Sequence, residues 1–159
     1  MRVRLDTVDW KILRELQADG RMTNVELASR VGISAPPCLR RVRALEEAGV
    51  IKGYRTLLDE SALGYEVTVF AMVNLVAQAG SALAAFEAYV RGQPLVRECW
   101  MLSGDIDFVL KCVAPDLRAF QAFVAELTAA PSVRNVKTAL TLRPVKDEAI
   151  VPAELPPPT

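Results

Sequence analysis

No histidine occurs anywhere in the chain. The residue most often used as a general base, and most often as a metal ligand, is therefore missing. An enzyme reading starts without its usual proton carrier, and no catalytic residue, metal site or cofactor is assigned. Cysteine is scarce and odd in number, at Cys38, Cys99 and Cys112. Three cysteines so widely spaced argue against a disulfide framework and a zinc cluster. Set in apolar runs, all three read as reduced core residues. No apolar run approaches the roughly 18 residues of a membrane span. No charged-then-apolar leader opens the chain. A cytoplasmic location with no membrane partner is expected. Net charge is lacking too, since nineteen basic residues balance nineteen acidic ones. That excludes a polybasic, histone-like binder.

What is present is informative. Hydrophobic residues make up 52% of the chain, enough for a packed core. The charge balance hides an asymmetry. Residues 1–55 hold eleven Lys and Arg against seven Asp and Glu, and the remainder holds eight against twelve. A basic front half suits phosphate binding and an acidic back half does not.

The front half reads as three short helices. Asp6 or Thr7 can cap the first, which places Val8, Ile12, Leu13 and Leu16 on one face. Asp19-Gly20 ends it. Thr23 to Glu26 has the spacing of a capping box and opens a second helix through Arg30, buried by Val25 and Leu27. Gly32 turns the chain. Ser34 caps a third helix to about Ala48, with Pro36 and Pro37 in the first turn, where a missing N–H costs little. Two helices joined by a tight Gly turn match a helix-turn-helix. The alternating run Val50 to Leu58, with Gly53 at its centre, predicts a small β-wing.

On the third helix Cys38, Leu39, Val42 and Leu45 fall on one side. Arg40 lies opposite, flanked by Arg41 and Arg43. Arginines on the exposed face of such a helix can fork onto guanine edges or phosphates in the major groove. The plainer alternative is a solvated basic face. The expected DNA-contacting set is Thr23, Asn24, Ser34, Pro36, Pro37, Arg40, Arg41 and Arg43, with Lys52 and Arg55 from the wing.

The stretches Leu5-Asp6, Asp9, Ile12-Leu13, Asp19 to Ala28, Arg30 to Ser34, Cys38 to Val42 and Leu45 to Ile51, with Gly53-Tyr54, resemble the Lrp/AsnC (feast/famine) family of regulators. One departure stands out. The family usually has a small hydroxyl residue where this chain has Pro36, which removes a possible phosphate contact.

The back half changes pattern after a linker at 59–64. Tyr65 to Val76 alternates and is apolar on both faces, as in a sheet with both faces covered. A helix over 81–91, strands over 96–102 and 108–113, a helix capped by Asp116 and a strand over 133–142 complete a βαββαβ order, a ferredoxin-like arrangement. That second helix is expected to bury Leu117, Phe120, Phe123, Val124 and Leu127. An internal repeat supports the arrangement. Pro94-Leu95-Val96-Arg97 recurs as Pro131-Ser132-Val133-Arg134, while Leu83, Phe86 and Val90 map to Phe120, Phe123 and Leu127. With helices on one sheet face, the other greasy face predicts a homodimer.

The motif Ser103-Gly104-Asp105-Ile106-Asp107 joins two predicted strands. It reads either as a hairpin whose carboxylates bond their own backbone, or as a polar loop for an amino acid. In the second case an Asp accepts from the ammonium, while Ser103 and backbone N–H groups bind the carboxylate. Arg97 to Lys111 resembles the effector-sensing domain of Lrp/AsnC proteins, which implies an effector role for Leu102, Ser103, Gly104, Asp105 and Asp107. Met101, Thr128 and Ala130 join that set as pocket lining. The resemblance covers residues 5–146 and implies dimers that assemble to tetramers or octamers on double-stranded DNA.

The fold expected is therefore α+β: a winged helix-turn-helix over 1–58 and a ferredoxin-like sensing and dimerisation domain over 65–146. Residues 147–159 form a tail, Pro-rich from Pro152 onward, where disorder is expected. The function expected is transcription regulation in response to a small molecule, most simply an amino acid. Two alternatives use the same architecture. A DNA-organising protein needs no effector and little base readout. An enzyme leaves the basic third helix unexplained.

Overall fold

The computed structural model describes residues 3–77, 79–148 and 151–153. The chain divides into two compact units, Met1–Leu57 with Lys146–Thr159, and Leu58–Val145.

The first unit contains α1 (Thr7–Ala18), α2 (Asn24–Val31) and α3 (Ala35–Glu47). The starts of α1 and α2 follow from side chains that accept orphan backbone N–H groups. Asp6 Oδ1 accepts from the N–H of Val8 and of Asp9, each at 2.9 Å. Asp9 Oδ2 accepts in return from the N–H of Asp6 at 3.1 Å. Thr23 and Glu26 make the same reciprocal pair at α2. Gly32 ends α2 at φ 80°, a left-handed conformation that favours glycine. Ile12, Leu27, Ala28, Val31, Cys38 and Leu45 close the core between the three helices.

Three expectations change here. Val25 is 69% exposed, because Leu27, Ala28 and Val31 set the buried face of α2 and Val25 lies about 200° round from Leu27. Leu39, next to buried Cys38, is exposed as well. The β-wing over 50–58 forms no strand. Val50 and Ile51 instead fold under α3, both donating N–H to the Leu45 carbonyl. Beyond them Leu57 is 93% exposed and belongs to no strand. In the tail, Ala153 is buried within this unit. The disorder expected from Glu154 to Thr159 falls outside the described residues.

The second unit begins with a 3-10 turn at Ser61–Leu63. It continues through β1 (Val67–Leu75), α4 (Gly80–Arg91), β2 (Val96–Met101), β3 (Phe108–Ala114), α5 (Leu117–Ala129) and β4 (Val133–Leu140). The sheet order is β2-β3-β1-β4, antiparallel throughout, so the βαββαβ expectation holds. Along β1, Val67, Val69, Ala71, Val73 and Leu75 are buried under the helices. Phe86 of α4 packs on Phe108 with ring centroids 4.8 Å apart. The internal repeat is visible in the packing. Phe86 and Val90 of α4, and Phe123 and Leu127 of α5, fill matching core positions.

Two residues expected in this core are not there. Leu117, the first residue of α5, is 53% exposed at the rim. Cys99 is also exposed, because it lies on the edge strand β2. Cys112, on the covered strand β3, is buried, and burial pushes its thiol up to about 11. Among the described residues of this unit, no helix covers the opposite sheet face. Strand register places Trp100, Val109, Met72 and Lys137 in one row across it, and Glu98, Lys111, Phe70 and Ala139 in the next.

Candidate DNA interface and effector loop

Helix α3 carries the basic residues, and the structure separates them. Arg40 and Arg43 are exposed, as are Ser34, Pro36, Thr23, Lys52 and Arg55, while Pro37 is half-buried. Arg41 turns the other way. One of its guanidinium nitrogens lies 2.8 Å from Asp6 Oδ2 and 2.7 Å from Asp9 Oδ1. The two carboxylates in turn raise the guanidinium pKa further above its ordinary value. Asn24 also works internally, since its amide donates to the Ala35 carbonyl at 2.8 Å and ties the start of α2 to that of α3.

Ser34 occupies the N-cap of α3, yet its side chain makes no capping bond. The reason is covalent. A capping hydroxyl accepts from the second or third helical N–H, and here those positions are Pro36 and Pro37, which have none. The hydroxyl is left exposed at the head of the helix that carries Arg40.

The second candidate region is the hairpin between β2 and β3. Gly104 sits at φ 130°, where a side chain would be strained. The two aspartates differ sharply. Asp107 is 6% exposed. Its Oδ2 accepts the Leu75 N–H at 2.7 Å, and its own N–H donates to the Val73 carbonyl at 3.1 Å. It therefore fastens the hairpin to the end of β1, beside the register shift at Asn74 and Leu75. Asn74 adds a second fastening by donating its amide to the Asp105 carbonyl. The Asp105 side chain is exposed at the tip, with Ser103 beside it. Met101, at 62% exposure, and Leu102, at 43%, provide apolar surface next to it.

Thr128 and Ala130 close α5 just before β4. Because Val133 pairs with Leu75, they stand at the same end of the sheet as the hairpin, across β1 from it. Thr128 is exposed and its hydroxyl donates back to the Val124 carbonyl, while Ala130 is half-buried.

Three residues that position these regions carry no such role in the sequence reading. Asn74 had a signal, as the one amide in a strand otherwise apolar but for Thr68. Asp6 is legible as a cap of α1, but neither it nor Asp9 is legible as the seat of Arg41.

Comparison with known proteins decides what this assembly is. Residues 5–52 match the model of the winged helix-turn-helix DNA-binding family. Residues 68–151 match the Lrp/AsnC ligand binding domain. The chain belongs to the Lrp/AsnC family of transcription regulators. A leucine-responsive regulatory protein of Rhizobium meliloti (strain 1021) is 64% identical over 148 residues, which cover 92% of this chain and 95% of that protein. Among solved structures, a transcriptional regulator of Neisseria meningitidis in complex with L-Met superposes with a TM-score of 0.90 at 37% identity, covering 94% of this chain and 97% of that one. An AsnC family regulator of Agrobacterium tumefaciens gives 0.88 at 35% identity, covering 94% and 98%. The helix-turn-helix is thus the DNA-binding head of a Lrp/AsnC regulator, and the four-stranded unit is its ligand-binding domain. No helix among the described residues is long and apolar enough to cross a membrane.

Proposed function

We propose that this Lrp/AsnC regulator binds a free amino acid at the 102–107 hairpin, and that occupancy alters its assembly or its hold on DNA. The observation that carries the reading is the division of labour between Asp107 and Asp105. A buried carboxylate anchors the loop while an exposed one is presented beside Ser103 and a left-handed glycine. Asp105 accepts from the ligand ammonium, and Ser103 with loop N–H groups receives its carboxylate. Met101 and Leu102 favour an aliphatic side chain, with Thr128 and Ala130 across the end of β1. Leucine and methionine are the first candidates, since a leucine-responsive protein and an L-Met complex are among the similar proteins.

On DNA, Arg40 and Arg43 enter the major groove, Ser34 hydrogen-bonds at the head of the helix, and Lys52 and Arg55 add phosphate contacts. The open sheet face, with Phe70, Met72, Trp100 and Val109, is covered by a second copy of the chain. Dimers then join through their hairpins into tetramers or octamers. The protein acts in the cytoplasm, without catalysis or a cofactor.

Thermal melting of the purified protein against each of the twenty amino acids, at millimolar concentration, tests the effector. A ligand at 100 times its Kd stabilises the native state by about 2.7 kcal/mol, a shift of roughly 5–10 °C for a chain of this size. The expected result is a shift with an aliphatic amino acid that disappears in Asp105→Ala. No shift with any of the twenty would instead favour a DNA-organising role without an amino-acid effector.

A further inference from the structure

We infer that Arg41 is a positioning residue for DNA recognition and not itself a DNA contact: with Asp6 and Asp9 it sets how α3 lies against α1, and so how Arg40 and Arg43 meet the groove. The inference rests on the DNA-binding reading above and deepens it.

The geometry divides each carboxylate between two tasks. Asp6 gives Oδ1 to the backbone N–H groups of Val8 and Asp9, and Oδ2 to Arg41. Asp9 gives Oδ2 to the N–H of Asp6, and Oδ1 to Arg41. The reciprocal cap of α1 therefore fixes both oxygens that hold the guanidinium, and α3 is tied to a preformed seat. A surface ion pair with one mobile partner contributes little. Here both acids are held by backbone, and the pairing spans 32 positions of sequence.

The alternative, a guanidinium that swings out to phosphate, meets a specific obstacle. It would leave two carboxylates close together without their shared cation. It would also leave them on a module that must approach a polyanion, where like charges repel. Arg40 and Arg43 have no carboxylate partner among the described residues and face solvent. One helix thus carries one bracing arginine between two presenting ones.

Salt dependence distinguishes the two roles. The probes are a 30-base-pair duplex selected from a random pool by the wild-type protein, and a scrambled duplex of the same composition. Each is titrated at several salt concentrations below the melting temperature. Every phosphate neutralised contributes about 0.9 to the slope of log affinity against log salt. For Arg41→Gln the slope is expected to stay as in wild type. The ratio of selected to scrambled affinity is expected to fall about ten-fold, the discrimination of roughly one base contact. A fall of about 0.9 in slope on both duplexes would make Arg41 a phosphate contact and overturn the inference alone.

Asp9→Asn is the second variant, and it decides the matter should Arg41→Gln not fold. Removing an acid should tighten binding to both duplexes if charge alone matters. Bracing predicts weaker binding to the selected duplex and no loss on the scrambled one. Tighter binding to both would contradict it. Failure of the wild type to discriminate any selected duplex would remove the DNA-recognition reading itself, a result distinct from either variant outcome.

Discussion

At Asp6, one carboxylate caps a helix and holds an arginine, and its ionisation should register in the stability of the DNA-binding unit. The backbone N–H of Asp9, and then Arg41, hold the Asp6 carboxyl below its ordinary value. The Thr23 hydroxyl and backbone do the same for Glu26. A carboxyl with a lower pKa in the folded state lends stability that is present above the unfolded pKa, near 4, and is lost as pH falls through the folded one. The melting temperature of this unit should therefore drop from about pH 4 downward. Asp6→Asn should melt lower than wild type at pH 7, with the gap closing as pH falls below the unfolded carboxyl value near 4, as followed by circular dichroism; a constant gap would show that the carboxylate charge is not what matters. The hairpin aspartates give a second contrast. Asp107→Ala leaves the Leu75 N–H unpaired in a buried setting, at a cost of about 1–3 kcal/mol. Asp105→Ala is expected to stay within about 0.5 kcal/mol of wild type in denaturant unfolding, because its side chain is exposed. The spacing of Gly104, Asp105 and Asp107 marks the loop in the sequence. It cannot say which aspartate faces inward, because that depends on where the end of β1 lies.

Helix ends were legible to within a residue or two because caps are local. Thr23 with Glu26, Asp116 before α5 and Gly32 after α2 all act as their residue types dictate. Ser34 is the instructive exception. Thr23→Ala and Asp116→Ala should each cost about 1 kcal/mol, whereas Ser34→Ala should cost less than about 0.5 kcal/mol, since Pro36 and Pro37 leave it no N–H to accept from. Equilibrium unfolding of the three variants checks this, and an equal cost at Ser34 would mean that its hydroxyl has a partner elsewhere in the fold. The strand expected at 50–58 does not form, for a different reason. An alternating run around a glycine states that a segment can be a strand, but a strand also needs a neighbour, and none pairs with 50–58 among the described residues. The βαββαβ order was recoverable because the repeat of α4-β2 in α5-β4 is written twice, at the same core positions.

For the whole molecule, zero net charge conceals a basic front half and an acidic remainder, and an α+β sheet with one uncovered face implies a partner. Phe70 and Met72 alternate with the buried residues of β1 and face away from the helices. Phe70→Asp should leave the second unit folded yet shift the protein to monomers at micromolar concentration by sedimentation velocity, while an unchanged sedimentation coefficient would place the dimer interface elsewhere. Exposure could not be read from sequence for Cys99, because edge position is a property of the assembled sheet, nor for Leu117, whose place at the start of α5 leaves it at the rim. Sequence-specific DNA recognition by α3 is the property on which regulation depends, and one titration tests it most directly. Fluorescence anisotropy of a selected duplex and a scrambled one should show discrimination of about a thousand-fold or more at physiological salt, with Arg40→Ala removing at least about ten-fold of it. Equal affinity for both duplexes, or an Arg40→Ala variant indistinguishable from wild type, would contradict it.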